Sequence, residues 1–467
     1  MADPARKEKE ARLAELLNQT FEDNQSSSAP KIQRVPLFLR QNPNFYEYCI
    51  PKMISFGPIH HSNKDLKQQG QHLKSQWTSL YIEEYSKLPL HNGNKQMAAN
   101  YLYEVVRDNI MELKKLFSED VIEGYSDDEL IWMLFEDGCS LLYYMDHIDD
   151  QCPEKLKLKL DQMMYTWRDI DLLENQLPMK LLELLSKRQG ADLEFLLLNL
   201  FYMGDPKRDG KAMIRLTDRP KWNHILDFER SYLLHPETEQ NITNQNGANQ
   251  MPPPSPPTPP SEAWQTYKNI RDLKKKGIKV KANKRRDLWE WHKISFKSRW
   301  WFSGELTLPS WIYNDATPYF FRNLIAYEMC PDFPNSFECC SFFSLMDSLV
   351  DDAKDVKELR LAGVIQNLLG SDEELAKFFN DIGHDLPTKM FNQVYTSDAV
   401  PISKEYFQVK CEIEKHYSSK WRTFLAETRT TYFSSPWALL AFLGTLAGLI
   451  LTALQTWYTI HPPHPKK

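Results

Sequence analysis

The 467-residue sequence is poor in cysteine and glycine, and both shortages exclude classes of functional site. The seven cysteines are scattered and contain no Cys-x-x-Cys pair, so neither a disulfide framework nor a zinc site is predicted. The 16 glycines form no phosphate-binding loop of the GxGxxG or GxxxxGK[ST] type. The HExxH and GxSxG signatures of hydrolases are also missing. No catalytic residue, metal site or cofactor is predicted, and we expect a protein that is not an enzyme.

A secretory signal is missing from the start of the sequence. The first 24 residues, MADPARKEKEARLAELLNQTFEDN, are rich in charge and contain no apolar stretch of signal-peptide length. We predict a charged N-terminus without fixed structure over residues 1–30, and we expect the bulk of the chain in the cytosol. A reducing cytosol also suits the scattered cysteines.

Charge is absent from one long run near the C-terminus, although 26% of all residues are charged. Residues 437–460 would form a helix of ~36 Å at about 1.5 Å per residue, which is long enough to cross a bilayer. Trp437 at one end, and Trp457 and Tyr458 at the other, are predicted to lie at the two membrane interfaces. The run therefore predicts a transmembrane helix over 436–460.

This helix also predicts the location and partners of the chain. Seven residues follow it, so we expect insertion after synthesis, a single pass and a C-terminal anchor in the plasma membrane or an endomembrane. The lipid bilayer and unidentified proteins are the expected partners, and nucleic acid is not. Gly444 and Gly448 are four residues apart, a spacing that lets two helix backbones approach closely. They are candidates for pairing copies of the chain into a homo-oligomer.

Positive charge is concentrated in one stretch of a chain whose net charge is −6. Between residues 268 and 286 a single acid, Asp272, stands among ten cations. The cations are Lys268, Arg271, Lys274, Lys275, Lys276, Lys279, Lys281, Lys284, Arg285 and Arg286. Three interpretations stay open, namely a solvated surface of strands and turns, a contact with anionic lipid headgroups, and a nuclear or nucleic-acid signal. The membrane helix disfavours the last.

Hydrophobic periodicity predicts a mainly α fold. The segment SDDELIWMLFEDGCSLLYYM opens with a capping box, in which Ser126 is the N-cap and Glu129 follows three residues later. It then becomes apolar on nearly every face, as in a central buried helix. Farther along, KGIKVKA, DLWEWHKISF and GELTLPSW are short runs between turn residues, typical of a small β-sheet. We predict a large helical globular domain with a small β-sheet in its second half and one C-terminal transmembrane helix.

A stretch rich in Asn, Gln and Pro divides the globular part. We predict a helical first part over 31–235, a linker or insertion over 236–263, and a second part over 264–433 in which helices follow the sheet. The transmembrane helix over 436–460 and a short tail over 461–467 complete the chain. Prolines over 252–260 favour polyproline II conformation, either as a spacer or as a segment that recruits partners.

Two histidines follow a predicted turn. Gly57 and Pro58 change the direction of the chain, and His60 and His61 come directly after them. The histidines could bind a metal or another chain, while packing within an ordinary turn is the simpler interpretation. We single out these four residues as a candidate interaction turn. Cys139 lies in an apolar segment without a cation or histidine to stabilise a thiolate, so we expect a core residue there.

Nine sequence blocks follow one another in an order that is typical of one plant family. They are VPLFLR, YCIPKMISFGPIHH, FEDGCSLL, DIDLLENQLP, HILDFER, LKKKGIKVKA, LPSWIYNDATPYFFRNLIAYE, FFSLMDSLVDDAKDVKELRLAGVIQNLLGSDEELAKFFN and YFSSPWALLAFLGTLAGLILTALQT. Together they resemble the plant "domain of unknown function 247" family from about residue 32 to residue 458. The resemblance implies a helical plant protein with a C-terminal anchor, and it implies no reaction. Some grass members of this family are pollen-side determinants of self-incompatibility, so it also implies a recognition role.

Three functional hypotheses follow. The first is a non-enzymatic, membrane-anchored interaction or recognition protein, in its finer form a self-incompatibility determinant of pollen. The second is a membrane-tethered enzyme with a site built around His60, His61 and aspartates. The third is a scaffold that recruits partners through its Pro-rich insertion. A pocket that joins the two histidines to acids or to Cys139 would favour the enzyme, whereas a flat, variable surface would favour recognition.

Overall fold

The mainly α fold with a small sheet in the second half of the chain is confirmed. The computed structural model describes residues 9, 12–13, 30–148, 153–187, 191–201, 222–234, 267–283, 294–299, 303–334, 336–384, 386, 404–418 and 436–461. The α-helices are α1 (Leu37–Arg40), α2 (Pro43–Tyr46), α3 (Lys64–Ser86), α4 (Lys95–Lys114), α5 (Glu119–Ile122), α6 (Asp127–His147), α7 (Pro153–Leu156), α8 (Leu160–Ile170), α9 (Met179–Leu185), α10 (Ala191–Phe201), α11 (Ile225–Leu234), α12 (Ile270–Lys275), α13 (Thr317–Glu328), α14 (Glu338–Leu349), α15 (Ala353–Leu361), α16 (Asp372–His384), α17 (Lys404–Tyr417) and α18 (Pro436–Ile460). The strands are β1 (Ile278–Ala282), β2 (Ser295–Arg299), β3 (Ser303–Leu308), β4 (Trp311–Tyr313) and β5 (Ile365–Asn367).

The chain forms two compact units that alternate along the sequence. The first unit contains the described residues within Met1–Gly247 and Asn314–Cys340. The second contains those within Ala248–Tyr313, Ser341–Lys389 and Ile402–Lys467. The predicted linker over 236–263 lies outside the described residues, as do the boundaries at 235, 264 and 433. Those boundaries, most of the N-terminus over 1–30 and most of the tail over 461–467 therefore stay predictions.

Helix α6 is the centre of the first unit. Its capping box is formed, because the Ser126 side chain accepts from Glu129 N while the Glu129 carboxylate accepts from Ser126 N. Every residue from 130 to 145 is buried except Trp132. Helices α3, α4 and α9 pack against this core helix. A Cβ added at Gly138 would lie 2.5 Å from Leu185 Cδ1, so the glycine permits the close approach of α9.

The segment between α8 and α9 is short and irregular. A single 3₁₀ turn, Leu173–Asn175, follows the end of α8, and Pro178 is the N-cap of α9. Pro178 has no N–H and a fixed φ, so it suits the start of a helix. All residues from 170 to 179 are buried, and their polar groups need partners inside the first unit.

The sheet of the second unit has three strands in the order β1-β3-β2. Strand β1 runs parallel to β3, with Ile278 opposite Gly304, and β2 runs antiparallel to it, with Phe296 opposite Leu306. Alternate residues of β3 are buried, as expected for a strand with one face on a core. Helix α12 leads into β1, and α17 packs beside β2. A second, two-stranded sheet pairs β4 with β5 in parallel.

Candidate functional site

The predicted Gly-Pro turn is held by side chains from elsewhere in the first unit. Gly57 has φ +71°, a conformation that favours glycine, and a Cβ there would lie 3.1 Å from the Gln176 carbonyl oxygen. Gly57 N donates to Asp137 Oδ2 at 2.8 Å, and the Tyr125 hydroxyl donates to Pro58 O at 3.0 Å. The turn is thus held by hydrogen bonds at both Gly57 and Pro58.

The two histidines after the turn have different environments. His60 Nε2 lies 2.9 Å from Glu174 Oε2, and the Glu174 side chain is completely buried. Glu174 also accepts from Val35 N at 2.8 Å and from the Tyr46 hydroxyl at 2.9 Å. The His61 ring centroid is 6.2 Å from that of Tyr125, and partial burial lowers the pKa of His61. The structure brings His60, but not His61, to an acid.

Asp169 fixes the chain that leads into the turn. Its Oδ2 accepts from the consecutive backbone N–H groups of Lys52, Met53 and Ile54, at 3.0, 2.6 and 3.0 Å. Asp169 is fully buried, and this burial raises its pKa while the three N–H donors oppose that rise. One carboxylate therefore satisfies three N–H groups that no secondary structure pairs.

Asn175 and Gln176 also form hydrogen bonds with backbone groups that lie outside helices and strands or at their ends. Asn175 Oδ1 accepts from Phe56 N at 2.6 Å, and its amide nitrogen donates to Ile54 O and Asp169 O. Gln176 donates to the carbonyls of Ile170 and Leu172, and its Oε1 accepts from Leu226 N at the start of α11. These two amides tie together the turn, the end of α8 and α11.

A buried ion pair lies beneath the turn. Lys74 Nζ, on α3, is 2.6 Å from Asp137 Oδ1, and both side chains are at most 3% exposed. Lys74 also donates to Ser55 O at 3.0 Å. Burial raises the pKa of Asp137, and Lys74 and the Gly57 N–H counteract the shift. Neither charge could be removed singly without leaving the other unpaired in the core.

Helix α13 joins the same network from a distant part of the sequence. Asn323 Oδ1 accepts from Leu173 N at 2.9 Å, and its nitrogen donates to Tyr48 O at 3.0 Å. Glu328, near the end of the helix, accepts from Arg230 Nε on α11 at 2.9 Å. Residues from six of the nine sequence blocks thus meet in one buried polar network of the first unit, with Gly57, Asp137, Asp169, Glu174, Asn175, Glu229, Arg230 and Asn323 among its members.

Two further acids of the network interact with each other. Asp171, just after α8, and Glu229, on α11, are neighbouring buried acids that are only 4% and 1% exposed. Burial raises the pKa of Asp171 to about 8 and raises that of Glu229 as well. His224, before α11, is also buried, and burial lowers its pKa to about 4, so it is neutral.

The contacts of this network are structural, because they hold the loops and helices of the first unit together. Its carboxylates accept backbone N–H groups or neutralise buried cations, and its amides bridge loops. Among the residues that the structure describes, no group of three or more His, Cys, Asp or Glu side chains could hold a metal ion. Cys139 is fully buried on α6, where burial raises the pKa of its thiol. The acid beside His60, Glu174, has a completely buried side chain, and the enzyme hypothesis stays a prediction.

Three cations of the first unit pack on aromatic rings, and two of them, Arg168 and Arg322, are buried. The Arg168 guanidinium lies 4.5 Å from the Tyr165 ring centroid and 4.1 Å from that of Tyr319. Lys52 Nζ donates to the Tyr319 hydroxyl at 3.0 Å, and Arg322 lies 4.0 Å from the ring of Tyr48. Such contacts stabilise by about 0.5–1 kcal/mol at exposed sites and by about 2 kcal/mol or more when they are desolvated. They hold the loop that follows α2 against α8 and α13.

The basic stretch lies in the second unit, where acids pair with most of its described cations. Arg271 Nε donates to Asp355 Oδ1 at 2.8 Å, and Lys274 Nζ is 2.7 Å from Glu358 on α15. Lys275 and Lys281 pair with Asp272 and Glu305, while Lys276 lies 5.7 Å from the ring centroid of Tyr417. This geometry favours the solvated-surface interpretation of the stretch. Residues 284–286 lie outside the described part.

A helix is present at the predicted C-terminal position as α18. Its window Leu440–Trp457 is long and apolar enough to cross a membrane, and none of that window is covered by the rest of the chain. A Cβ added at Gly444 or Gly448 would meet nothing within 4 Å. Trp457 is 62% exposed and stacks on His461 at 4.6 Å between ring centroids. The side chains of Trp437 and Tyr458 are outside the described residues, so their interface role stays a prediction.

Comparison with known sequences identifies the family. The model of a family described as plant proteins of unknown function, DUF247, matches residues 32–451. The chain belongs to the DUF247 family. An Arabidopsis thaliana relative, UPF0481 protein At3g47200, is 25% identical over 440 residues, which cover 92% of this chain and 86% of that protein. A second Arabidopsis thaliana UPF0481 protein, At3g02645, is 26% identical over 192 residues, 41% of this chain and 32% of that protein. No solved structure matches the chain.

The DUF247 match covers every residue of the buried network. The sequence points directly to the turn and to Cys139, and only indirectly to the acids and amides that hold the turn. Their signal was present in DIDLLENQLP, where charged and amide residues stand inside an otherwise apolar run. A buried polar residue requires a partner, so such a run indicates a core network rather than a surface loop.

Proposed function

We propose that this DUF247 protein is a non-enzymatic interaction protein that helix α18 anchors in a membrane. The observation that carries the proposal is the 25-residue helix Pro436–Ile460, which contains no charged residue. It is ~37 Å long at about 1.5 Å per residue, and the hydrocarbon core of a bilayer is about 30 Å thick. The match in length supports a single crossing with a slight tilt.

The exposed side chains of α18 suit lipid better than water. The large apolar side chains that are at least 43% exposed are Leu440, Phe442, Leu443, Leu446, Leu449, Ile450, Leu451, Leu454, Trp457 and Ile460. Keeping apolar surface in water costs about 25 cal/mol for each Å². The polar threonines need no water, because Thr445, Thr452 and Thr456 donate to the backbone carbonyls four residues earlier at 2.7–2.9 Å.

An interaction role is supported by the aromatic surface of the first unit. Tyr103 on α4 and Trp132 and Phe135 on α6 form a cluster with ring centroids 5.8–6.1 Å apart. Trp132 is 58% exposed although it lies on the most buried helix of the unit. Exposed aromatic residues are enriched where proteins bind each other. The finer form of the proposal, recognition in pollen self-incompatibility, rests on the resemblance to grass members of the family.

The same helix offers a face for a second copy of the chain. Gly444 and Gly448 lie one turn apart, and Thr452 continues the spacing of small residues by another turn. The open space at both glycines is supporting evidence, because a neighbouring helix backbone can approach closely there. Two copies in one membrane would then pair through this face.

The anchor is tested by two charge substitutions on the apolar side of α18. Leu446→Arg with Ile450→Arg should shift the full-length protein from the carbonate-washed membrane pellet to the soluble fraction, since each Arg costs about 2.5–3.5 kcal/mol at mid-membrane. The control Leu361→Arg changes a 70% exposed residue of α15 and should leave the protein in the pellet. Wild-type protein in the soluble fraction would contradict the anchor.

Protease digestion of intact membranes tests the orientation. It should remove the bulk of the chain if that part is cytosolic, and protection of the bulk would show the opposite orientation.

Pairing is tested separately, in membranes that retain the protein. Gly444→Ile with Gly448→Ile should reduce energy transfer between two labelled copies at least severalfold, because the added side chains keep the backbones apart. The control Ala453→Ile places the same side chain on the opposite side of the helix and should keep the transfer. Equal transfer in both variants would sink the pairing and leave the anchor intact.

A further inference from the structure

Both ring nitrogens of His147, the last residue of α6, lie beside hydrogen-bond acceptors. Nδ1 is 2.9 Å from Tyr143 O, one turn earlier in the helix, and Nε2 is 3.1 Å from Glu84 Oε1 on α3. A backbone carbonyl and an ionised carboxylate can only accept, so each nitrogen has to donate. A neutral imidazole has one N–H group, whereas the imidazolium ion has two. The two contacts therefore require a positively charged His147.

Glu84 is ionised, because it also pairs with a lysine. Lys187 Nζ, just after α9, lies 2.6 Å from Glu84 Oε2 and 2.8 Å from Asp146 Oδ2. Burial opposes the ionisation of Glu84, but hydrogen bonds from His147 and Lys187 outweigh it and lower the pKa of Glu84 to about 2. Glu84 thus accepts at both carboxylate oxygens and has no proton to donate to the histidine.

The charges of these four side chains balance only while the histidine is protonated. Glu84 and Asp146 supply two negative charges, and Lys187 and His147 supply two positive charges. The side chains are 32%, 7%, 14% and 12% exposed, in that order. A neutral His147 would leave one negative charge without compensation in a site that water only partly reaches.

The other titratable groups around the site do not replace that charge. The Tyr143 ring stacks on the imidazole with 4.2 Å between centroids, and its hydroxyl donates to Lys155 O on α7 at 3.3 Å. The Lys187 ammonium lies 4.6 Å from the Tyr81 ring centroid on α3. Burial raises the pKa of both tyrosines, so they stay neutral. Glu83, also on α3, pairs with a lysine of α4 at 2.8 Å.

We propose that His147 is a proton-operated switch, which holds the last turn of α6 against α3 while it is charged and releases that turn when it becomes neutral. In the neutral ring, Nδ1 keeps its proton for Tyr143 O, and the lone pair of Nε2 then faces the Glu84 carboxylate. The ligand of this site is a proton, and the response is local opening at the end of α6. The link between α3 and the end of α9 should persist, because the Tyr81 hydroxyl donates to Leu185 O at 2.8 Å. The proposal does not depend on the membrane anchor.

The direction of the pH dependence follows from these contacts. Burial alone would lower the pKa of His147, but the hydrogen bonds to Glu84 and to Tyr143 O raise it above the ordinary value of about 6.5. The C-terminal end of a helix also favours a positive charge. The stabilisation is therefore complete below about pH 6.5 and is lost as the pH rises through the higher folded-state value.

Histidine titration by NMR tests the charge in the full-length protein in detergent micelles, with His147→Gln to assign the signal. The pKa of wild-type His147 should lie above about 6.5. Glu84→Gln should lower this pKa by about 1 unit or more, because a nearby opposite charge favours the charged form. The control Glu83→Gln removes the adjacent acid, which is 42% exposed and pairs elsewhere, and should leave the pKa unchanged.

Two outcomes of the titration would overturn the proposal. One is a wild-type His147 pKa at or below about 6.5, and this measurement decides even if Glu84→Gln does not fold. The other is an equal shift in the Glu84 and Glu83 variants.

Hydrogen exchange, corrected for its intrinsic pH dependence, tests the response. Exchange in residues 144–148 should become about tenfold faster from about pH 6 to about pH 8.5, while residues 134–138 of the same helix change much less. His147→Gln cannot gain the charge, so the end of α6 should exchange equally fast at both pH values. His72→Gln, which changes an exposed histidine of α3, should follow the wild type. Unchanged protection of residues 144–148 in the wild type would show that the charge operates no switch.

Discussion

The first and second units use charged residues in opposite ways. In the first unit, Asp137, Asp169 and Glu174 are buried and accept hydrogen bonds from the backbone of the 35–57 region. In the second unit, the lysines of the basic stretch pair with acids at the surface, as Lys274 does with Glu358 at 63% and 29% side-chain exposure, whereas Asp355, the partner of Arg271, is fully buried. Acidic residues thus hold loops in place inside the first unit, whereas most acids that pair with the basic stretch lie at the surface of the second unit.

The difference shows which charged residues determine the fold. A buried carboxylate cannot be replaced by water, so its loss leaves each of its donors unsatisfied. A solvent-exposed ion pair exchanges water for a partner at nearly equal free energy, and salt screens it further. Sequence order does not distinguish the two cases, because both regions contain runs of charge. Burial distinguishes them, and burial is set by the surrounding apolar residues.

The largest effect is expected at Asp169. Asp169→Ala removes the acceptor of three consecutive N–H groups, and each buried group left unpaired costs about 1–3 kcal/mol. The free energy of unfolding should fall by about 3 kcal/mol or more in urea titrations of the detergent-solubilised protein. Asp161→Ala removes an exposed acid from the same helix and should cost less than about 1 kcal/mol. Similar losses in both variants would remove the contrast between buried and exposed acids.

An intermediate effect is expected at the turn. Gly57→Ala places a Cβ in a left-handed conformation, which costs about 1–2 kcal/mol, and sets it 3.1 Å from the Gln176 carbonyl oxygen. Gly93→Ala is the matched control, because Gly93 has φ +78° and open space around its Cβ position. Thermal melts should show a larger loss for Gly57→Ala, and the difference measures the contact with Gln176. A larger loss at Gly93 would show that this contact is easily relieved.

The smallest effect is expected in the basic stretch. Lys274→Ala breaks the exposed pair with Glu358 and should change the free energy of unfolding by less than about 1 kcal/mol. The change should shrink further at 1 M salt, where the Debye length is about 3 Å. A loss of several kcal/mol, unaffected by salt, would place this pair in the same class as the buried acids of the first unit.

Much of the fold could be predicted from local signals. The capping box at Ser126 and the apolar run after it indicate α6, because the cap and the lack of a polar face act within one helix. The charge-free run indicates α18 in the same way. The runs KGIKVKA and GELTLPSW contain β1 and most of β3, whereas DLWEWHKISF overlaps β2 only at Ser295 and Phe296. The structure confirms the helical class, the sheet and a C-terminal helix capable of spanning a membrane.

The arrangement of the network could not be predicted, because it depends on pairs distant in sequence. Asn323 contacts Leu173 across 150 residues, and Asp169 contacts Met53 across 116. The residue types of one segment do not identify the distant segment that it contacts. The residue types at Gly57 and Pro58 predict the turn. They do not predict which residues hold it, because these come from α6 and from the segment after α8.

The alternation of the two units along the chain has a consequence during synthesis. Residues 1–247 leave the ribosome well before α13, which belongs to the same compact unit. Until Asn323 emerges, Leu173 N lacks its acceptor and Tyr48 O lacks its donor. The first unit therefore cannot complete its hydrogen bonds until residues 248–313 of the second unit have also been synthesised. In that interval Arg230 on α11 also lacks the carboxylate of Glu328 that pairs with it in the folded unit.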